Sequence, residues 1–469
     1  AVLGIITDLD KAIQNNDLLL IKKLLAQLGK TPFFKKEKPT PYDEAVSLIW
    51  YLENVFYHSA SKIYNYIQQD IFEGKTIENE IIDLGFWPGG DRDGNPFVNT
   101  KITLDVAERL RQTILGNYYK DVRELRRRFT FEGVREILTR IEKRLYKHTT
   151  KSYSQVNFNQ KILLEELLAA RNIIIKKHDS LFIEELNDFI TKVYIFGFHF
   201  ATLDIRQDSR VHHAAFTQLV SDLLKSGDST FPENYIELSE KEQIDILSNI
   251  KGTIDTNILS DEMSKKTLDS MFAIKTIQKR NGERGANRYI ISNNQTALNV
   301  MQTFAMLNLC GFENELTVDI IPLFETVDDL ENASDVMRTL YSNNAYRTHL
   351  NNRQNDQTIM LGFSDGTKDG GYLMANWAIF RAKERLTAIS REFGIKVIFF
   401  DGRGGPPARG GGKTHQFYAS LGPTIEDKEI QLTIQGQTIS SNFGTLNSSQ
   451  YNLEQLLSSG IKNEVFTKD

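Results

Sequence analysis

The chain is almost without cysteine. Cys310 stands alone among 469 residues, which excludes a disulfide framework and any zinc site built from cysteines. It also lacks a long apolar run. The longest, around Val193 to Leu203, is interrupted by Gly197 and His199 and is too short to span a bilayer. Asp8, Asp10 and Lys11 break up the apolar residues near the start, so no secretory signal is expected there. Positive charge is not in excess either: 56 lysines and arginines meet 61 acidic residues, for a net charge of -5. A nucleic-acid or polybasic membrane partner needs a dominant cationic face and is therefore not expected, although a local basic pocket for a small anion remains open. There is no internal repeat and no low-complexity tract. The compartment reads as cytoplasm.

What is present is ordinary globular material, 40% hydrophobic and 25% charged, long enough for roughly two to four domains. The first part, 1–193, reads as mainly helical. Apolar residues recur at three- and four-residue spacing over Leu18 to Leu28, Ala45 to Ile71, Leu104 to Leu115 and Ile162 to Val193. One stretch, Phe86 to Pro96, is too rich in glycine and proline for helix or strand and reads as a loop.

From 194 to 450 the pattern changes to short β-branched and aromatic runs, most followed by a helical pattern. The runs are Phe198 to Arg206, Arg288 to Ser292, Val318 to Glu325, Ile359 to Asp365, Lys396 to Arg403 and Ile430 to Gln435. Thr326 and Asp329 form a capping signal, and Met374, Trp377, Ala378, Leu386, Ile389 and Phe393 mark the apolar side of a later helix. Alternation of this kind predicts an α/β fold with a parallel sheet. Arg206, Ser292, Glu325, Asp365 and Arg403 all fall at or just past the C-terminal end of a run, where a (β/α)₈ barrel gathers its chemistry. A doubly wound open sheet is the alternative. Residues 451–469 read as the start of a further, C-terminal region.

Glu325 and Asp365 are natural hard ligands for Mg²⁺ or Mn²⁺, or else helix caps. The segment Asp401 to Thr414 holds six glycines and two arginines, Arg403 and Arg409, a composition suited to backbone and guanidinium contacts with phosphate or carboxylate. Its ending resembles a P-loop, but Pro407 stands where the first glycine is required, so that reading is rejected. Lys368 could neutralise charge on a substrate oxygen or pair with Asp369 on the surface. Histidines are few: His199 is placed inside a strand, and His212 and His213 on a helix surface. None ends a strand, so no general base of the usual kind is visible.

Five segments together resemble phosphoenolpyruvate carboxylase. They are Gly-Gly-Asp-Arg-Asp-Gly-Asn-Pro (89–96), Leu-Asp-Ile-Arg-Gln-Asp-Ser (203–209), Pro-Leu-Phe-Glu-Thr-Val-Asp-Asp-Leu (322–330), Gly-Phe-Ser-Asp-Gly-Thr-Lys-Asp (362–369), and Gly-Arg-Gly-Gly (402–405) with Arg-Gly-Gly (409–411). The resemblance implies an enzyme that joins bicarbonate to phosphoenolpyruvate. The products are oxaloacetate, which replenishes the tricarboxylic acid cycle, and phosphate. Carboxyphosphate and a metal-held enolate of pyruvate are the implied intermediates.

It implies Glu325 and Asp365 as ligands of Mg²⁺ or Mn²⁺, Arg206 and Arg403 as phosphate-holding arginines, and Lys368 as an active-site lysine. Trp87 would stand near the bicarbonate pocket, and Arg409 would also contact the feedback inhibitor aspartate. The whole protein would be an allosteric, cytoplasmic homotetramer with small-molecule substrates and neither nucleic-acid nor membrane partners.

Two positions depart from the family pattern: Asp401 replaces a histidine, and Gln437 replaces the glutamate of a Gln-Gly-Glu strand end. The family's catalytic-histidine segment and last strand have no counterpart here. The expectation is therefore an internal piece carrying barrel strands two to seven, inactive by itself. The competing expectations are a non-catalytic fragment that binds anions and metal, and another phosphoenolpyruvate-using barrel such as a pyruvate phosphate dikinase domain.

Overall fold

The structure is a computed structural model that describes residues 2–32, 39–73, 81–150, 158–312, 315–406 and 410–460. The chain forms two compact units: Ala1–Asp83 with Arg109–Phe200 and Gly436–Leu457, and Leu84–Glu108 with Ala201–Gln435 and Ser458–Asp469. No helix among the described residues is long and apolar enough to cross a membrane.

The first unit is helical. Val2–Gln14 and Leu18–Lys30 pack around Ile5, Ala12 and Leu24, and the Asp17 side chain caps the second helix by accepting the Leu20 N–H. Thr40 and Asp43 form a capping box at Pro41–Tyr51, and the helix runs on through two π-turns to Ile71. The single pattern expected over Ile162 to Val193 is two helices, Gln160–Lys177 and Ile183–Phe196. Asp179, Ser180 and Phe182 have positive φ between them, so the chain turns where apolar spacing alone gives no break.

The second unit carries the sheet. A short pair, β1 (Gly85–Phe86) and β2 (Thr202–Leu203), runs parallel. Six further strands follow: β3 (Ile205–Asp208), β4 (Arg288–Ser292), β5 (Asp319–Phe324), β6 (Asp356–Gly362), β7 (Lys396–Gly402) and β8 (Ile430–Leu432). They lie in the order β3-β4-β5-β6-β7-β8, all parallel. Every strand neighbours its successor, and the order never reverses, so there is no switch point of the doubly wound kind. The fold is helix-rich α/β with a singly wound parallel sheet. Among the described residues the sheet does not close on itself.

Ile290, Ile321, Leu323, Met360 and Phe400 form a buried cluster on one face, with Trp87 packed against it. Burying each of these side chains stabilises the fold by roughly 1.5–3 kcal/mol. Side chains alternate along a strand, and register partners share a face. Arg206 is the register partner of Ile290, so it lies on the cluster's face. Ser292 and Glu325 continue the same alternation beyond Ile290 and Leu323. Asp401, next to Phe400, faces the other way.

Several expectations change. Phe198 to Ala201 is a turn, with Phe200 at φ +67°, so the first run becomes strand only from Thr202, and His199 is a buried turn residue. β6 stops at Gly362, and Asp365 stands in the first turn of the helix Phe363–Glu392, which kinks at Gly371. That kink leaves Met374 and Trp377 41% and 57% exposed, while Ala378, Leu386 and Ile389 are buried. Trp377 instead stacks on Phe380 under the Arg381 guanidinium. His212 is not a surface residue. It is fully buried where the helix Ser209–Lys225 packs on the sheet, paired with the Tyr289 hydroxyl at 2.8 Å.

Candidate active site

The glycine-rich segment after Trp87 is bound along the edge of β3. The Arg206 N–H donates to the Gly90 carbonyl at 3.1 Å, and the Arg92 N–H donates to the Arg206 carbonyl at 3.0 Å. Gly90 is required here, because a Cβ would run into the Asp204 carbonyl oxygen. The loop thus occupies backbone groups that an edge strand would otherwise expose. It also delivers Asp91 and Asp93 to the Arg206 guanidinium, Asp91 at 3.5 Å and Asp93 in direct contact.

Burial would pull the Arg206 pKa down, but Asp91 and Asp93 outweigh it and hold the guanidinium above its ordinary value, with Glu325 adding to the effect. Asp91 itself is raised by burial, against the pull of Arg206. Arg206 also stands over the Trp87 ring, 5.3 Å from its centroid. Trp87 is fixed in turn: its indole N–H donates to Asp204 at 2.9 Å, and Asp204 is 2.6 Å from Arg288.

Glu325 follows β5 directly. Its Oε2 accepts the Asn293 N–H at 2.8 Å, where Asn293 takes φ +51° just past β4. Thr326 and Asp329 form the expected capping box on the helix Val327–Ser342. The Glu325 carboxylate is thereby left on the cluster's face and is not used as a cap.

The segment bearing Asp365 lies against it. A Cβ on Gly362 would be 3.2 Å from the Glu325 Cγ, and one on Gly366 would be 3.3 Å from the Glu325 carbonyl oxygen. The side chain of Asp365 lies outside the described residues. Lys368, one helical turn further on, is exposed, and Asp369 accepts the Val327 N–H at 3.1 Å.

No group of three or more metal-type ligands occurs among the described residues. Mg²⁺ needs fewer, because it binds through one or two carboxylates and completes its shell with water and substrate oxygens. Glu325, with Asp365 on the adjoining segment, has the right donor chemistry for such an ion.

Arg403 follows β7 and is buried. Its guanidinium carbon lies 4.2 Å from the Phe417 ring centroid and 5.6 Å from that of Phe363. Burial lowers its pKa, opposed by Tyr418 and Asp401. Its Nη1 is buried and has no hydrogen-bond partner among the described residues, so an anion could take that donor. Gly410 closes the loop over the same ring: its φ is +82°, and a Cβ would come within 2.6 Å of Phe363. Arg409 lies outside the described residues, and so does the side chain of Gln437.

The structure therefore brings Trp87, Arg206 and Glu325 to one face of the sheet and seats Arg403 in an aromatic corner. Sequence reasoning missed Asp204, Arg288, Lys383 and Tyr418. Asp204 and Arg206 belong to one motif, and an acidic residue two positions before the arginine was a usable signal.

The family model of phosphoenolpyruvate carboxylase matches residues 7–158 and 131–469. A phosphoenolpyruvate carboxylase of Nitrosomonas eutropha is 29% identical over 502 aligned residues, covering 96% of this chain and 53% of that protein. The chain spans about half the length of this curated relative. With nearly its whole length matched, the chain belongs to the phosphoenolpyruvate carboxylase family.

Proposed function

We propose that the face bearing Arg206, Trp87 and Glu325, together with Arg403 just past the end of β7, carries out part of the carboxylation of phosphoenolpyruvate by bicarbonate, giving oxaloacetate and phosphate. Attack of bicarbonate oxygen on phosphorus forms carboxyphosphate and releases the enolate of pyruvate. After a proton is lost, carboxyphosphate yields carbon dioxide and phosphate, and the enolate carbon takes up the carbon dioxide. Negative charge spreads over the phosphoryl oxygens throughout, and fixed cations answer that demand.

In this reading Arg206 and Arg403 hold the phosphoryl group. Arg206 is oriented by Asp91, Asp93 and the Trp87 ring, and Arg403 by two aromatic faces. Trp87 shapes the bicarbonate side and excludes water. Lys368, on the helix after β6, acts at the same site, and Arg409 is assigned contact with aspartate as feedback inhibitor. Glu325 and Asp365 would hold Mg²⁺ or Mn²⁺, which supplies Lewis-acid stabilisation of enolate and phosphoryl oxygens when bound.

The six strands are read as consecutive members of a (β/α)₈ barrel, because the order is singly wound and the polar residues gather at one end. The observation that carries the proposal is the arrangement at Arg206: a half-buried guanidinium on the cluster's face of the sheet, held cationic by two aspartates and within the field of Glu325.

No histidine ends a strand among the described residues, so the 469-residue chain is expected to bind ligands without turning them over. The test is bicarbonate-dependent oxaloacetate formation with Mg²⁺, coupled to malate dehydrogenase, for this chain and for a version extended at both ends. Activity confined to the extended version and abolished by Arg206→Ala supports the proposal. No oxaloacetate from the extended version refutes the reaction. Turnover by the 469-residue chain within about tenfold of the extended version places the base among its own residues.

A further inference from the structure

Asp401 lies where the chain departs from its family, and it faces the helix layer, away from the catalytic face. It is fully buried, and its partner Lys383 is 1% exposed, with the ammonium 2.8 Å from both carboxylate oxygens. The Tyr418 hydroxyl donates to Oδ2 of the same carboxylate at 2.7 Å. Three elements meet at this point: the middle of the helix Phe363–Glu392, the end of β7, and the helix Thr414–Ala419 that follows the glycine-rich loop.

That last helix has six residues, too few to be stable by its own hydrogen bonds, and Tyr418 is its one buried residue. Its neighbour Phe417 carries the Arg403 guanidinium on its ring at 4.2 Å, and Lys383 lies 5.3 Å from the same ring centroid. The Phe417 ring therefore has a cation from each of two elements upon it. The Arg403 guanidinium lies nearer to the Phe417 ring than to the Phe363 ring, so its aim depends in large part on where Phe417 is placed.

We infer that Asp401, Lys383 and Tyr418 are positioning residues that set the orientation of Arg403 through the Phe417 ring, and so tune affinity for the phosphoryl group. A buried ion pair is a poor source of stability, because desolvating both charges offsets most of their attraction. Its value here is geometric: carboxylate, ammonium and hydroxyl fix the Tyr418 side of a short helix whose Phe417 ring packs edge-on against Phe363. The inference rests on the reading of Arg403 as a phosphate-holding residue.

The test compares the full-length protein with three variants: Tyr418→Phe, Asp401→Asn, and the double variant Lys383→Met with Asp401→Leu. The double variant removes both charges and leaves apolar side chains, so it should fold, as circular dichroism would show. Small misplacements of a substrate-holding group cost up to about 100-fold. The expected result is a KM for phosphoenolpyruvate raised roughly 10- to 100-fold in the double variant, with the KM for bicarbonate unchanged. Tyr418→Phe keeps the ring and should shift the same constant by a smaller factor.

A folded double variant with a KM for phosphoenolpyruvate within twofold of the parent overturns the inference. Calorimetric titration with inorganic phosphate separates this from failure of the underlying reading. Binding lost in Arg403→Ala but intact in all three variants overturns the inference alone. Binding intact in Arg403→Ala overturns the role of Arg403 and the inference with it.

Discussion

Replacing Arg288 by methionine is the sharpest perturbation of the Trp87 support. Asp204 is 1% exposed, and its carboxylate lies 2.6 Å from the Arg288 Nε and accepts the Trp87 indole N–H at 2.9 Å. Methionine preserves the apolar stem but takes the Arg288 cation away from a carboxylate in the interior. Removing one member of a buried pair costs about 3–5 kcal/mol, most of it the uncompensated charge. With a denaturant slope of about 3 kcal/mol/M, the urea midpoint should fall by roughly 1–1.7 M.

The chain has three tryptophans, so Trp50→Phe with Trp377→Phe leaves Trp87 as the sole fluorophore beside this site. Its emission should shift to longer wavelength as the indole loses its fixed setting. Adding Asp204→Asn removes the stranded charge while an amide oxygen can still accept from Trp87. The double variant should therefore recover at least half of the lost stability. A midpoint shift below about 0.3 M for Arg288→Met, or a double variant as unstable as the sum of the singles, would refute the account of Asp204 as a charge held by Arg288.

Burial holds His212 down at about 3 and His349 at about 4, against an ordinary value of 6.5, so the unfolded chain binds protons first as pH falls. Their contribution is full above about pH 6.5 and is lost on acidification towards those values, by about 2 kcal/mol each at pH 5; His212→Gln should flatten the stability profile, and a parallel profile would sink the idea. Gly410→Ala should raise the KM for phosphoenolpyruvate, since φ +82° and a Cβ within 2.6 Å of Phe363 would push the loop off the Arg403 platform; an unchanged KM counts against loop closure there. Glu325→Gln should keep the fold, because the amide oxygen can still accept the Asn293 N–H at 2.8 Å, yet weaken Mn²⁺ binding at least about tenfold by electron paramagnetic resonance titration; unaltered binding would remove Glu325 from the metal site.

The strands were the legible part of the fold, because buried parallel strands are short apolar runs with abrupt ends. Arg288–Ser292 matched its expected run, and β7 stopped one residue short of Arg403. Misreadings fell where glycine or a left-handed residue redirects the chain. Gly371 re-aims the helix that was expected to bury Met374 and Trp377, and Phe200 ends a turn that looked like strand. Apolar spacing describes a face only while the axis is straight. A kink changes which side of the same sequence meets the core. His212 shows the converse error: a polar side chain was read as surface, yet Tyr289 and Thr303, each far away in sequence, supply its partners.

The residues that touch substrate are easier to read than the residues that aim them, and the reason is physical. A candidate phosphate-binding arginine or metal-binding carboxylate, such as Arg206 or Glu325, is marked by its place at or just past the end of an apolar run. Its support has no such constraint. Asp204 meets Arg288 across 84 positions, and Asp401 meets Lys383 across 18 and Tyr418 across 17. Each of those supports is a buried charge, tolerable only because a partner from another element arrives at hydrogen-bond distance. In the sequence Asp401 looked like a departure that put the substrate pocket in doubt. In the structure Lys383 reaches that carboxylate from the helix behind the strand. A substitution at such a position is interpretable only together with the residue facing it. Changing Lys383 and Asp401 together therefore separates their effect on position from the cost of one stranded charge, which a single change such as Asp401→Asn keeps.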